Sequence, residues 1–178
     1  VFTFPPPAVG PVLIQFAAGH NIRDLAAAPN NFAGASWSYV LDPNAIVDAV
    51  RLNELAAANV NGLRDEDNEV QDWLELFNPS TNVVSLAGWS LTDDESEPTK
   101  WVFPAIALGP RGHLVVFCSG KDRRPVTPGS KLHANFGLSP DGEFLGLYNA
   151  EVPRRLVSAF NPYPNQRTDY SWGFDPLD

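Results

Sequence analysis

Between Asp48 and Phe174 the chain is cut by turn residues into short apolar stretches, which leaves no room for long helices. The clearest stretches are Asp72–Asn78, Gly112–Cys118 and Gly142–Tyr148. They are bounded by Asn78-Pro79-Ser80, by Gly109-Pro110-Arg111-Gly112 and by Ser139-Pro140-Asp141-Gly142. Proline fixes its backbone and donates no hydrogen bond, while glycine, asparagine and aspartate accept the left-handed conformations of tight turns, so each cluster ends a strand. Several such strands in succession predict an antiparallel β-sandwich.

Composition agrees and narrows the function. Hydrophobic content of 44% with 19% charged residues is globular, and 178 residues suffice for one ordinary domain plus an extension. A net charge of −9 argues against non-specific attraction to nucleic acid or an anionic membrane. No apolar run approaches the ~18 residues of a membrane-spanning helix, so membrane insertion is not expected. Cys118 is the only cysteine, which rules out an internal disulfide and a thiolate metal cluster; at the end of Leu114–Cys118 it reads as a buried, inert thiol. Methionine is absent, which fits a processed or excised chain.

Charge is unevenly placed: residues 47–97 carry twelve acidic and two basic side chains, and residues 100–167 nine basic and four acidic. The expectation is that the strands interleave the two sets.

Residues 1–46 read as an extension or the end of a preceding module. Val1–Phe4, Pro11–Ala17 and Trp37–Leu41 are strand-like, and Ile22–Ala28 reads as one or two helical turns. These pieces are too apolar to stay solvated, and they predict pairing with a sandwich edge, of the same chain or of a neighbouring copy. Residues 47–174 form the sandwich and 175–178 a tail. The expected strands are Ile46–Leu55, 72–78, Val83–Leu91 with a bend at Gly88, Lys100–Phe103, 112–118, Lys131–Phe136, 142–148, Arg155–Phe160 and Tyr170–Phe174. In 72–78 the twofold period sets Leu74 and Leu76 on one face and Trp73, Glu75 and Phe77 on the other. Bulk on both faces predicts a central strand. Leu74, Leu76, Leu114, Val116, Leu145 and Leu147 are the expected core.

A set of motifs recurs in order along the chain: Arg51–Leu55, Asp65–Asp67 with Asp72–Asn78, Leu86–Asp94, Lys100–Pro104, Leu114–Phe117 with Gly120–Asp122, Leu132–Phe136, and Leu138 with Asp141–Glu143. No block is specific alone, but the ordered set resembles the lamin tail domain in its bacterial form, over roughly residues 47–174. The resemblance implies an all-β fold, an immunoglobulin-like antiparallel β-sandwich of about seven to nine strands, preceded here by an extended, strand-like segment. It also implies a non-catalytic module of an exported, multidomain surface protein, and it supplies no active site to transfer.

The acidic loop holds the best candidates for chemistry. Asp65, Asp67, Glu69 and Asp72 offer the oxygen-rich set that calcium takes, although Val70 and Leu76 stand where a helix-loop-helix calcium motif needs glycine and glutamate. His20, His113 and His133 show no zinc-ligand spacing. No serine sits in a Gly-x-Ser-x-Gly turn, and an enzyme is not expected. Two functions stand: a structural or interaction module for adhesion, assembly or spacing, partnered by other subunits or neighbouring modules; or an extracellular glycan-binding module, calcium-dependent in one form. Both place the chain in a secreted or cell-surface setting. An exposed row of aromatics would favour the second.

Overall fold

The computed structural model describes residues 8, 10–16, 19–41 and 50–174, with the backbone alone at 39–41. The expected strand Val1–Phe4, the start of Ile46–Leu55 and the tail 175–178 lie outside the described residues. The chain divides into two compact units, residues 1–47 and 48–178.

In the first unit β1 (Gly10–Gln15) and β2 (Ser36–Leu41) form an antiparallel hairpin, with Gly10 opposite Leu41 and Gln15 opposite Ser36. The two strands pair with each other. The loop between them is held by Phe16, His20 and Phe32, whose rings lie 4.9 to 5.7 Å apart. The helical turns expected at Ile22–Ala28 do not form; residues 25–28 are bends. The cause is Asp24, whose Oδ1 accepts the N–H of Ala26 at 3.1 Å and of Asn30 at 3.0 Å. A carboxylate that takes those amides competes directly with a helix.

The second unit is the sandwich, all-β among the described residues. Its strands are β3 (Arg51–Ala56), β4 (Trp73–Phe77), β5 (Val84–Ser85), β6 (Ser90–Thr92), β7 (Trp101–Val102), β8 (Ala107–Leu108), β9 (His113–Phe117), β10 (Leu132–His133), β11 (Leu145–Tyr148), β12 (Leu156–Phe160) and β13 (Trp172–Gly173). One sheet runs β10-β9-β4-β3-β13 and the other β12-β11-β6-β7, so nine strands make the two layers, and β5 and β8 form a small separate ribbon. β4 is central, as its two bulky faces require.

One pairing departs from the antiparallel expectation: β10 runs parallel to β9, with Leu132 opposite Val116. The long loop 119–131 carries the chain back, so it re-enters beside β9 in the same direction. The pairing continues as Ala134 donates to the Phe117 carbonyl at 2.8 Å. The ribbon strand at Ala107–Leu108 was also not expected from the sequence. The expected strand Val83–Leu91 splits into β5 and β6 at Gly88, whose φ of +77° turns the chain so that Trp89 packs on the core.

The core lies between the sheets. Leu52, Leu55, Leu74, Leu76, Leu91, Val116, Leu145 and Leu147 are fully buried, with Trp101 and Tyr163 among them; Leu114 packs at the margin. Burial of each such leucine contributes about 1.5–3 kcal/mol. β3 bulges between Leu52 and Glu54, and the Leu52 amide, lost to the ladder, donates to Ser158 Oγ on β12 at 3.1 Å. That bond ties one sheet to the other. Arg51 and Asn53 flank the buried Leu52 and so face outward, and the bulge adds Glu54 to that outer face, where the polar chemistry collects.

Candidate functional site

The acidic loop closes on itself before it meets anything else. Asp65 Oδ1 accepts the N–H groups of Asp67 and Glu69, each at 2.9 Å, and Asp65 N donates to the Glu69 carbonyl at 2.9 Å. Asn68 takes a left-handed φ of +63° at the apex. This geometry sets Asp65, Asp67 and Glu69 around one point, and that point holds the ammonium of Lys121. Its Nζ lies 2.5 Å from Asp65, 2.7 Å from Asp67 and 2.6 Å from Glu69. Three of the four expected calcium ligands therefore converge, and they converge on a protein cation. Asp72 stands apart, where its Oδ1 accepts the Asn59 amide at 3.0 Å; burial raises its pKa.

Arg123 extends the clasp. It bonds Glu66 at 2.7 Å and Asp67 at 2.8 Å. The guanidinium of Arg123, followed by Lys121, brings Asp67 down to a pKa of about 2. Burial would raise Glu66, but its bonds to His133 and Arg123 prevail and hold it at about 2 as well. Likewise, burial of Asp65 is outweighed by Lys121 and the loop amides, so its pKa is lowered. Lys121 is raised, first by Asp65, then by Asp67 and Glu69. The acidic and basic loops thus interlock.

A second chain of bonds runs beneath the clasp. Ser119 Oγ lies 2.8 Å from His133 Nδ1, and His133 Nε2 lies 2.9 Å from Glu66 Oε2. This is the serine–histidine–acid order of a hydrolase, which the sequence did not single out. Its setting differs. His133 is fully buried and stacked on Phe117 at 5.2 Å. Ser119 Oγ accepts the Lys121 amide at 3.3 Å. The adjoining cleft, bounded by Glu66, Arg123 and Lys131, is lined by neither Ser119 nor His133.

The outer face of the five-stranded sheet carries an open cleft of about 930 Å³. The Arg51 guanidinium lies 5.6 Å from the Phe77 ring and 5.4 Å from Phe174, within cation–π range. His113 stacks on Phe77 at 4.5 Å. Glu75 Oε1 meets Asn53 Nδ2 and His113 Nδ1, each at 2.8 Å. Arg111 completes the rim from the turn before β9, with a left-handed φ of +53°. Sequence reasoning missed this cleft. The available signal was the outward set of Trp73, Glu75 and Phe77, too bulky for a purely solvated face.

Two-sheet architecture, Greek-key-like interleaving of distant strands and ordered motifs define an immunoglobulin-like β-sandwich module. The family model for the Lamin Tail Domain matches residues 43–160, and the chain belongs to that family. Compared with curated proteins, the chain finds no significant match.

Proposed function

We propose that this lamin tail domain is a non-catalytic interaction module of an exported bacterial surface or extracellular protein, serving assembly, adhesion or spacing, and that it engages neighbouring subunits or modules through its N-terminal hairpin. One observation carries the reading. In the hairpin, Leu13 is 63% and Trp37 51% exposed, and Ile14 and Phe16 are exposed with them. Two strands are too small a sheet to bury such a cluster between them, and a cluster of this kind gains stability from a protein surface laid against it. The polar groups of the acidic and basic loops support the non-catalytic part, because they are spent on one another.

The test is self-association of the full chain by analytical ultracentrifugation across a concentration series. Association that disappears in the Leu13→Glu, Trp37→Glu double variant supports the reading. A wild-type chain that stays monomeric throughout would sink assembly between copies.

A second reading, glycan binding, is favoured by the stretch 170–174 around β13. Tyr170, Trp172 and Phe174 stand at alternate positions and are 57%, 37% and 46% exposed. Exposed rings in a row offer apolar faces to sugars while polar neighbours take the hydroxyls. Retention on immobilised polysaccharides, reduced in Tyr170→Ala and Phe174→Ala, is the expected result.

A further inference from the structure

We propose that the cleft on the outer face of the five-stranded sheet binds a uronic-acid polysaccharide, with Arg51 and Arg111 receiving the sugar carboxylate. This rests on the glycan reading above and names its substrate class.

The chain holds 21 acidic and 12 basic residues, and its cations are engaged in different ways: Arg64, Lys131 and Arg154 donate to backbone carbonyls. Lys100, Lys121, Arg123 and Arg124 each meet a carboxylate. Among the described residues, Arg51 and Arg111 meet none, and both line the same cleft. Arg51 is held in place by Phe77 and Phe174 and so loses little freedom on binding. A guanidinium presents paired donors that match a carboxylate in plane.

The rest of the lining selects among anions. Glu75 is engaged by Asn53 and His113, but Glu54 has no cationic partner among the described residues and faces the cleft. A free carboxylate accepts hydrogen bonds from sugar hydroxyls, donors that a polyphosphate or polyglutamate chain does not offer. A uronic-acid chain carries one carboxylate per ring with hydroxyls around it, and so meets both kinds of group. Phe174 supplies an exposed ring beside them. An acidic peptide fits less well: β3 and β4 in the cleft floor are each paired on both sides, and the edge strand at the cleft, β13, is only two residues long, too short to template strand addition. The cleft volume of about 930 Å³ is within the range of small-ligand sites.

The experiment titrates the full chain with oligogalacturonate, with a neutral dextran oligomer and with polyglutamate, by calorimetry at low and high salt. Oligogalacturonate is expected to bind, more weakly as salt rises, and dextran at least tenfold more weakly. Arg111→Asn keeps a residue that tolerates the left-handed backbone, and should weaken oligogalacturonate binding about tenfold, the effect of one charge-assisted hydrogen bond. Its melting temperature should stay at the wild-type value. Arg51→Lys tests the second guanidinium, with the same direction expected. Equal binding of dextran, or an unaltered Arg111→Asn, overturns the acidic assignment and leaves the glycan reading standing. Binding of polyglutamate alone, or of no probe, overturns both.

Discussion

Lys121 and Asp65 lie 56 positions apart and meet at 2.5 Å, with the Asp65 side chain wholly buried at the contact. A buried carboxylate left without its cation is costly, so the ammonium is a structural part of the loop. It occupies the point to which Asp67 and Glu69 also reach.

That placement sets the calcium response. A divalent ion would have to displace Lys121, so calcium should leave the wild-type melting temperature unchanged with or without chelator. Lys121→Met removes the resident cation and leaves three carboxylates gathered. The variant should melt lower than wild type and then regain stability with calcium, because a ligand that binds only the folded state stabilises it. Calcium stabilisation of the wild type, or none in the variant, would count against Lys121 as the occupant.

The same clasp gives an acid signature. Glu66 and Asp67 sit at about 2 in the folded chain, against ordinary values of 4.5 and 3.8. Depressed carboxylates contribute stability that is complete above their unfolded pKa and is lost as pH falls toward the folded one. Melting temperatures should therefore hold near neutrality and fall as pH drops from about 4.5 to about 2. Arg123→Gln removes the partner that both carboxylates share, so its acid limb should be shallower. Parallel limbs for the two proteins would show that the clasp does not set the slope.

Ser119, His133 and Glu66 make a sharp test of the non-catalytic reading. Ester hydrolysis should be no faster than buffer, and Ser119→Ala should not change it. His133→Ala should cost about 2–4 kcal/mol in chemical denaturation, since it empties a buried, bonded position. Turnover that vanishes with Ser119→Ala would make the chain an enzyme.

How far the sequence carried depended on whether the determinant was local. Leu74 and Leu76 declared their face through a twofold period, and Pro140-Asp141-Gly142 declared a turn, because both rest on neighbouring residues. Lys121 and Asp65 are brought together only by tertiary structure, so the acidic loop read as open to a metal. The cleft was hidden for the same reason: Arg51, Arg111 and Phe174 come from three separate parts of the chain. The Ile22–Ala28 turns failed because Asp24 bonds Asn30, six residues on, beyond the reach of a helical period.

Gly142 offers the clearest single-residue test of the sandwich. It has a φ of +89°, a conformation that side chains other than glycine's rarely adopt. A Cβ there would drive into the backbone carbonyl of Tyr163. Tyr163 cannot yield easily: it is fully buried, its hydroxyl donates to Ser139 O or Glu143 Oε1, both 2.9 Å away, and its own amide donates to the Glu143 carbonyl at 3.1 Å. Gly142→Ala thus combines a strained backbone with a clash against an immobile neighbour, and should destabilise the sandwich by about 2–4 kcal/mol. The neighbouring exposed Asp141→Ala, free of both constraints, should change stability by less than about 0.5 kcal/mol. Urea denaturation of the two variants separates them, and a Gly142→Ala midpoint equal to that of Asp141→Ala would mean that the turn relaxes around the added methyl.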